Sequence, residues 1–280
     1  MKVTYDYTGK VVVITGAATG IGHAVALAFA NCGADIAVCD YNPEKGQATV
    51  DEINALGKGK AAFFKCDVSK DEDVAAMKEA VIKEFGTVDI LIGNAGVSRG
   101  IAPNGKAALG PPFTQVVVQD WQRMFNINLF GNVRLVQAFY DVMTAKKEGK
   151  IIFTASISAF TPSALQPQYS ASKIGVINLV QSLSVDLGPH NINVNCVCPG
   201  FVYTPMYEDG AHNFKELRPE VFGDLDNPED IMNRLAIGMS AMRRPQSPQD
   251  MANGFLFLAS DAAREITGQY LNIDSGIVFR

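Results

Sequence analysis

Short β-branched runs alternate with helical stretches along nearly the whole chain, starting at Lys10-Val-Val-Val-Ile-Thr15, which ends directly in glycine. The pattern predicts strands at Lys10 to Thr15, Asp35 to Cys39, Ala61 to Cys66, Val88 to Gly93, Lys150 to Ala155, Asn191 to Val197 and Tyr270 to Ile273. Between them it predicts helices at Ile21 to Asn31, Pro43 to Leu56, Asp71 to Phe85, Val118 to Thr144, Tyr169 to Leu187 and Pro248 to Leu258. Strands this uniformly apolar are buried on both faces, so the expected architecture is α/β: a single Rossmann-type, doubly wound parallel sheet with helices on both sides. No linker or internal repeat divides residues 1–280, so one domain is expected. Two segments break the rhythm. Residues 98–114 hold three prolines and three glycines and read as an inserted loop, and residues 203–246 read as a substrate-binding loop or lid.

Composition excludes several classes. With 48% hydrophobic and 19% charged residues the chain can bury a large core. Its longest apolar runs, such as Val11 to Ile14 and Ala24 to Ala30, fall far short of the ~18 residues that span a bilayer. No secretory signal is evident, so a cytoplasmic location is expected, without a membrane partner. Net charge is −5 with Lys and Arg scattered, which offers no footprint for nucleic acid. The five cysteines form no C-x-x-C pair, and neither a disulfide framework nor a metal site is expected. Cys196 and Cys198 share one strand face, yet no histidine lies near them in sequence.

Thr15-Gly16-Ala17-Ala18-Thr19-Gly20-Ile21-Gly22 lies between the first strand and the first helix, where a pyrophosphate meets backbone N–H groups and the positive helix end. Its spacing is G-x-x-x-G-x-G, so the dinucleotide fingerprint is matched in context and not letter for letter. Asp40 ends the second strand eighteen residues after Gly22, near the ~20 at which a carboxylate meets the adenosine ribose. A carboxylate there repels a 2′-phosphate, which favours NAD over NADP. Asp67-Val68 and Asn94-Ala95-Gly96 close the third and fourth strands and point to the same crevice.

Tyr169 and Lys173 are four apart in a predicted helix and so share a face. A tyrosine that acts as a base near neutral pH needs its pKa lowered from ~10 by about three units, roughly 4 kcal/mol, and a lysine cation beside an oxidised nicotinamide would supply this. Y-x-x-x-K recurs at Tyr41 and Lys45, but Ser156 stands thirteen residues before Tyr169, at a strand end, whereas Ala28 stands thirteen before Tyr41. The second pair reads as a decoy on a surface helix.

With these motifs in order from Gly9 to Gly276, the chain resembles the classical short-chain dehydrogenase/reductase family. The resemblance places the catalytic tetrad on Asn128, Ser156, Tyr169 and Lys173, and the cofactor contacts on Gly16, Thr19, Gly20, Ile21, Gly22, Asp67, Val68, Asn94, Ala95 and Gly96. It adds Pro199, Gly200, Val202 and Thr204 around the nicotinamide carboxamide. It implies hydride exchange at nicotinamide C4, with Tyr169 shuttling the proton and Ser156 holding the substrate oxygen. Lys173 would hold the ribose and lower the Tyr169 pKa, and Asn128 would support a water joining Lys173 to solvent. Asp274-Ser275-Gly276 departs from the family's Asp-Gly-Gly. The expected activity is NAD-dependent interconversion of a secondary alcohol and its ketone. An NADPH-preferring carbonyl or ketoacyl-type reductase is the alternative, and a non-catalytic nucleotide-binding protein a third reading that an intact tetrad disfavours.

Substrate contacts are expected from Ser158, Phe160, Gln166, Phe201, Tyr203 and Met206, with Phe214 or Phe222 as further candidates. A polyol would use Gln166, Ser158, Glu208 and His212; a cyclic or aryl alcohol would use Phe160, Phe201 and Met206. The sequence leaves both open. Helices 118–144 and 169–187 carry apolar stripes wider than one sheet contact requires, and similar proteins pair these helices between subunits, so a homotetramer is expected.

Overall fold

A computed structural model describes residues 4–98, 100–101, 107–108, 113–161 and 164–280. Strands β1 (Val11–Thr15), β2 (Asp35–Asp40), β3 (Ala61–Lys65) and β4 (Ile90–Gly93) alternate with helices α1 (Gly20–Asn31), α2 (Pro43–Ala55) and α3 (Asp71–Phe85). A two-residue pair follows, β5 (Gly100–Ile101) with β6 (Ala107–Ala108), antiparallel. Then come α4 (Val118–Asn128), α5 (Phe130–Lys146), β7 (Gly149–Thr154), α6 (Pro167–Leu187) and β8 (Ile192–Pro199). Helices α7 (Pro205–Leu217), α8 (Pro219–Phe222), α9 (Pro228–Met239) and α10 (Pro248–Ala259) precede the last strand, β9 (Tyr270–Ile273).

Seven strands form one parallel sheet in the order β3-β2-β1-β4-β7-β8-β9. Side chains alternate across it. Val12 and Ile14 join Phe29 of α1 and Phe255 of α10 on one face, while Val13 and Leu91 join Phe139 of α5 and Val176 of α6 on the other. The strand order reverses between β1 and β4, which opens a crevice at their carboxyl ends. Among the described residues no helix is long and apolar enough to cross a membrane.

The single helix expected over 118–144 is two helices, broken at Leu129 (φ −109°, ψ −59°). Side chains answer the carbonyls near the break: Asn132 donates to the Asn128 carbonyl at 2.9 Å, and Arg134 donates to that of Asn126 at 3.2 Å. Gly131 then lies close against Val68, where a Cβ would come within 2.9 Å of a valine methyl. The approach to Val68 is tertiary, and apolar periodicity continues through the break without recording it.

The segment expected as a substrate-binding loop or lid over 203–246 is largely helical. Pro205, Pro219 and Pro228 read as breakers along the sequence, but each begins a helix, where a missing N–H costs no hydrogen bond. The lid has a small core of its own, Ala211, Phe222, Ile231 and Met232, separate from the two main clusters. Val202 and Gln246 pair in a parallel bridge where the chain enters and leaves it. Ser275, at the departure from Asp-Gly-Gly, holds φ +58°, a left-handed conformation that costs a serine more than a glycine. Asp274 steadies this turn by accepting from the Gly276 and Val278 amides at 2.9 and 2.8 Å.

Candidate active site

The crevice is a cleft of about 760 Å³ running from Asp40 to the lid. Its floor is the turn after β1. Gly16 takes φ +65°, and a Cβ there would reach 2.8 Å from Ala95 Cα. A Cβ on Gly22 would fall 2.1 Å from the Gly16 carbonyl oxygen, so glycine is required for α1 to start this close to the strand. Asn94 locks the arrangement: its Nδ2 donates to the carbonyls of Thr15 and Gly16 at 3.2 and 3.1 Å, and its Oδ1 accepts from Thr154 at 2.9 Å. Thr19 precedes α1 and makes no side-chain cap, so the helix offers its first N–H groups to whatever lies in the cleft. A dinucleotide pyrophosphate fits this cradle, where the start of α1 borders the cleft.

At one end Asp40 is buried to 7% exposure, accepting from the Ala18 amide at 3.1 Å and the Asn42 amide at 3.0 Å. Asp67 and Val68 line the same side. Burial of Asp67 would raise its pKa, but the Ser69 hydroxyl and amide outweigh that and hold the carboxyl below the usual range. Tyr41 and Lys45, the pair read as a decoy, also line the cleft.

At the other end β7 and α6 bring Ser156, Tyr169 and Lys173 together. Tyr169 is 7% exposed, and burial pushes its phenol up; the nearby Tyr207 pushes the same way, and the Ser156 hydroxyl opposes. Ser156 Oγ accepts from the Ser158 amide at 3.1 Å, which fixes its rotamer. Lys173 Nζ donates to the Thr154 carbonyl at 2.8 Å and lies 5.7 Å from the centre of the Tyr169 ring. Burial pushes this ammonium down to about 8. Burial is the largest influence on the Tyr169 phenol.

Asn128 is fully buried and stands outside the cleft lining. Its Oδ1 accepts from the Val97 amide at 2.8 Å, and its Nδ2 donates to the Val97 carbonyl and Ser172 Oγ at 2.9 and 3.0 Å. Its amide thus ties the strand-end loop after Gly96 to α6, a fixed anchor beside the site. Thr19, Gly20, Ile21, Ala95, Gly96, Pro199, Gly200, Val202 and Thr204 all line the cleft. Gly22 underlies it.

Of the expected substrate contacts only Met206 lies in the lining. Phe160 turns away: the short 3-10 turn Ile157–Ala159 carries its ring to 4.7 Å from that of Tyr270. Phe201 and Tyr203 pack on the lid core, as does Phe214, which faces Phe222 at 6.4 Å. Ser158, Gln166 and Glu208 are not in the lining, and the side chain of His212 lies outside the described residues. Most of the 98–114 loop lies outside them as well. Sequence reasoning missed Val97, Ser98, Arg123, Ile127 and Tyr207, which the structure places in the lining. The motif after Gly96 offered a signal for the first two, and the broken helix hid the next two.

Residues 10–213 match the family model described as short chain dehydrogenase. The chain belongs to the short-chain dehydrogenase/reductase family. It is 32% identical over 270 residues to a 3-oxoacyl-acyl-carrier-protein reductase of Thermotoga maritima, covering 96% of this chain and 98% of the relative. It is 31% identical over 268 residues to the 7α-hydroxysteroid dehydrogenase of Escherichia coli, covering 96% of this chain and 94% of that protein. Among solved structures it matches L-sorbose reductase from Gluconobacter frateurii, complexed with NADPH and L-sorbose, at a TM-score of 0.87, 29% identity and coverage of 99% and 100%. A 7α-hydroxysteroid dehydrogenase complexed with NADH is a further structural relative. The chain is an oxidoreductase of this family, and its relatives bind NADH in one structure and NADPH in another.

Proposed function

We propose that this oxidoreductase uses NAD(H) to interconvert a secondary alcohol and its ketone, with Tyr169 as the general acid and base. The observation that carries the reading is the convergence of Ser156, Tyr169 and Lys173 at one end of a cleft whose other end is closed by the Asp40 carboxylate. A nicotinamide dinucleotide in the cleft supplies the hydride acceptor for oxidation and the donor for reduction. Gly16, Gly20, Gly22 and the start of α1 hold its pyrophosphate, Asp40 its adenosine ribose, and Asp67 and Val68 its adenine. Asn94, Ala95 and Gly96 form the wall beside it, and Pro199, Gly200, Val202 and Thr204 surround the carboxamide.

In oxidation Tyr169 takes the hydroxyl proton of the alcohol; in reduction it returns a proton to the carbonyl oxygen. Ser156 donates to that same oxygen and stabilises the charge that develops on it. Lys173, with one N–H on the Thr154 carbonyl, keeps two donors for the ribose, and its charge favours the phenolate. Asn128 holds the loop and helix that position both. Replacing Tyr169 by phenylalanine should reduce turnover of any alcohol or ketone substrate by roughly 10²- to 10⁴-fold, while a fluorescence titration shows NADH still bound. Full turnover in that variant would contradict the reading.

A negative charge at Asp40 supports NAD(H) against a 2′-phosphate. One observation favours an NADPH-preferring carbonyl reductase as the second reading: Lys45 lines the same end of the cleft and has no ion-pair partner among the described residues. Comparing dissociation constants for NADH and NADPH decides between them, and a tenfold preference for NADPH would reverse the assignment. Phe130, Ile174 and Val185 are exposed on α5 and α6, at 48%, 44% and 78%, and support assembly as a homotetramer. Light scattering of the purified protein tests this.

A further inference from the structure

Arg134 lies near the start of α5, outside the cleft lining, yet its guanidinium reaches the loop that carries Asp67 and Val68. Its Nε donates to Asp71 at the start of α3. One terminal nitrogen donates to the Asn126 carbonyl at 3.2 Å and to the Val68 carbonyl at 3.4 Å, and the other donates to Asn126 Oδ1 at 2.8 Å. Asn126 completes the tie, donating from Nδ2 to the Ser69 carbonyl at 3.2 Å. Ser69 in turn gives Asp67 Oδ1 its hydroxyl at 2.7 Å and its amide at 3.0 Å. Burial raises the Asp67 carboxyl, and the Ser69 bonds, Lys70 and the Arg134 charge together outweigh it. The loop 67–71 is thus bolted to the end of α4 and the start of α5 by two side chains that stand behind the cleft.

We propose that Arg134 is a positioning residue for the dinucleotide: through Asn126 and Asp71 it holds the Asp67–Val68 wall where the adenine docks, so that the adenine half of the cofactor binds tightly only with this guanidinium in place. This rests on the dinucleotide reading above, which puts the adenine at Asp67 and Val68. Arginine has donors and no acceptor, so it fixes the sense of the Asn126 amide, with Oδ1 toward the guanidinium and Nδ2 toward Ser69. Without it that amide loses the partner that orients it, and Ser69 loses its hold. A wall fixed before binding spares the cofactor the cost of ordering it. Asn128, two residues beyond Asn126, bonds Val97 and Ser172 instead. The catalytic end therefore keeps its own anchor, and the Arg134 brace serves the adenine end.

The test titrates NADH, ADP-ribose and reduced nicotinamide mononucleotide against the wild-type protein, Arg134→Met and Asn126→Ala, by fluorescence for the reduced nucleotides and by displacement of NADH for ADP-ribose. Arg134→Met should weaken NADH and ADP-ribose by the same factor, roughly 10-fold, and leave the mononucleotide unchanged. Asn126→Ala should show the same split, and the double variant should lose little more than either alone, because both act through one clamp. Unchanged ADP-ribose affinity in Arg134→Met, or an equal loss for the mononucleotide, marks a role in stability alone and overturns the inference, as do losses that simply multiply in the double variant. Should Arg134→Met fail to fold, Asn126→Ala decides by the same split. Wild-type protein that binds neither NADH nor ADP-ribose removes the dinucleotide reading itself, whereas tight binding of both that is indifferent to Arg134 leaves that reading standing.

Discussion

Replacing Lys173 by methionine should change the stability of the ligand-free protein by an amount that depends on pH. Lys173 is 4% exposed, and burial pushes its ammonium down from 10.5 to about 8. In the unfolded chain the group keeps its ordinary value. Below about pH 8 it is protonated in both states, and holding that charge in the interior costs the full gap, about 3 kcal/mol. Between about pH 8 and pH 10.5 the unfolded chain binds more protons than the folded one, so stability rises with pH and the penalty disappears. Methionine carries no charge and lacks this dependence. The stability of the variant relative to the wild type should therefore fall by about 2 kcal/mol between about pH 7 and about pH 9.5. Loss of the 2.8 Å hydrogen bond to the Thr154 carbonyl adds a nearly constant offset, which makes the slope the informative quantity. Tyr7, Cys66 and Lys150, also shifted by burial, titrate in both proteins and largely cancel in the difference. Urea unfolding followed by circular dichroism at several pH values, with a common m-value, gives the comparison. A difference independent of pH, or one that grows in favour of methionine as pH rises, would refute the claim that Lys173 is held in a desolvated site.

Three further perturbations separate the parts of the molecule. Gly22→Ala places a Cβ 2.1 Å from the Gly16 carbonyl oxygen and 2.5 Å from Asn94 Nδ2, so both thermal stability and NADH affinity should fall, the former by about 1–3 kcal/mol. Asp40→Asn preserves shape and removes charge; the ratio of NADPH to NADH dissociation constants should drop about tenfold, and an unchanged ratio would detach Asp40 from cofactor choice. Phe222→Ala empties the lid core and should cost the lid about 3–5 kcal/mol. Because that core is separate from those under the sheet, amide exchange should accelerate across residues 205–239 and substrate KM should rise, with β1 to β4 unaffected.

The parts of the site legible in the sequence are those whose geometry is local. Tyr169 and Lys173 share a face because a helix repeats every 3.6 residues, and Gly16, Gly20 and Gly22 keep side chains out of a turn whose flanking strand and helix are both evident. Asn94 and Ser156 follow from the rule that strand ends meet at the crevice. What escaped depends on partners distant in sequence. At the break around Leu129, Asn128 bonds Val97 and Gly131 lies against Val68, and neither contact changes the apolar periodicity of 118–144. The helices of residues 205–239 escaped for a different reason: proline has opposite meanings inside a helix and at its first turn, and Pro205, Pro219 and Pro228 carry no local mark of which applies. That ambiguity propagated into the substrate residues. Read as a loop, the segment after Pro199 gave no means of deciding which side chains face the cleft, so Phe201 and Tyr203 were expected there; as a helix starting at Pro205 it turns Met206 and Tyr207 inward and leaves the earlier aromatics on the lid core. Cofactor residues on the sheet are thus legible from strand ends alone, whereas substrate residues become legible only once the lid's helices are fixed.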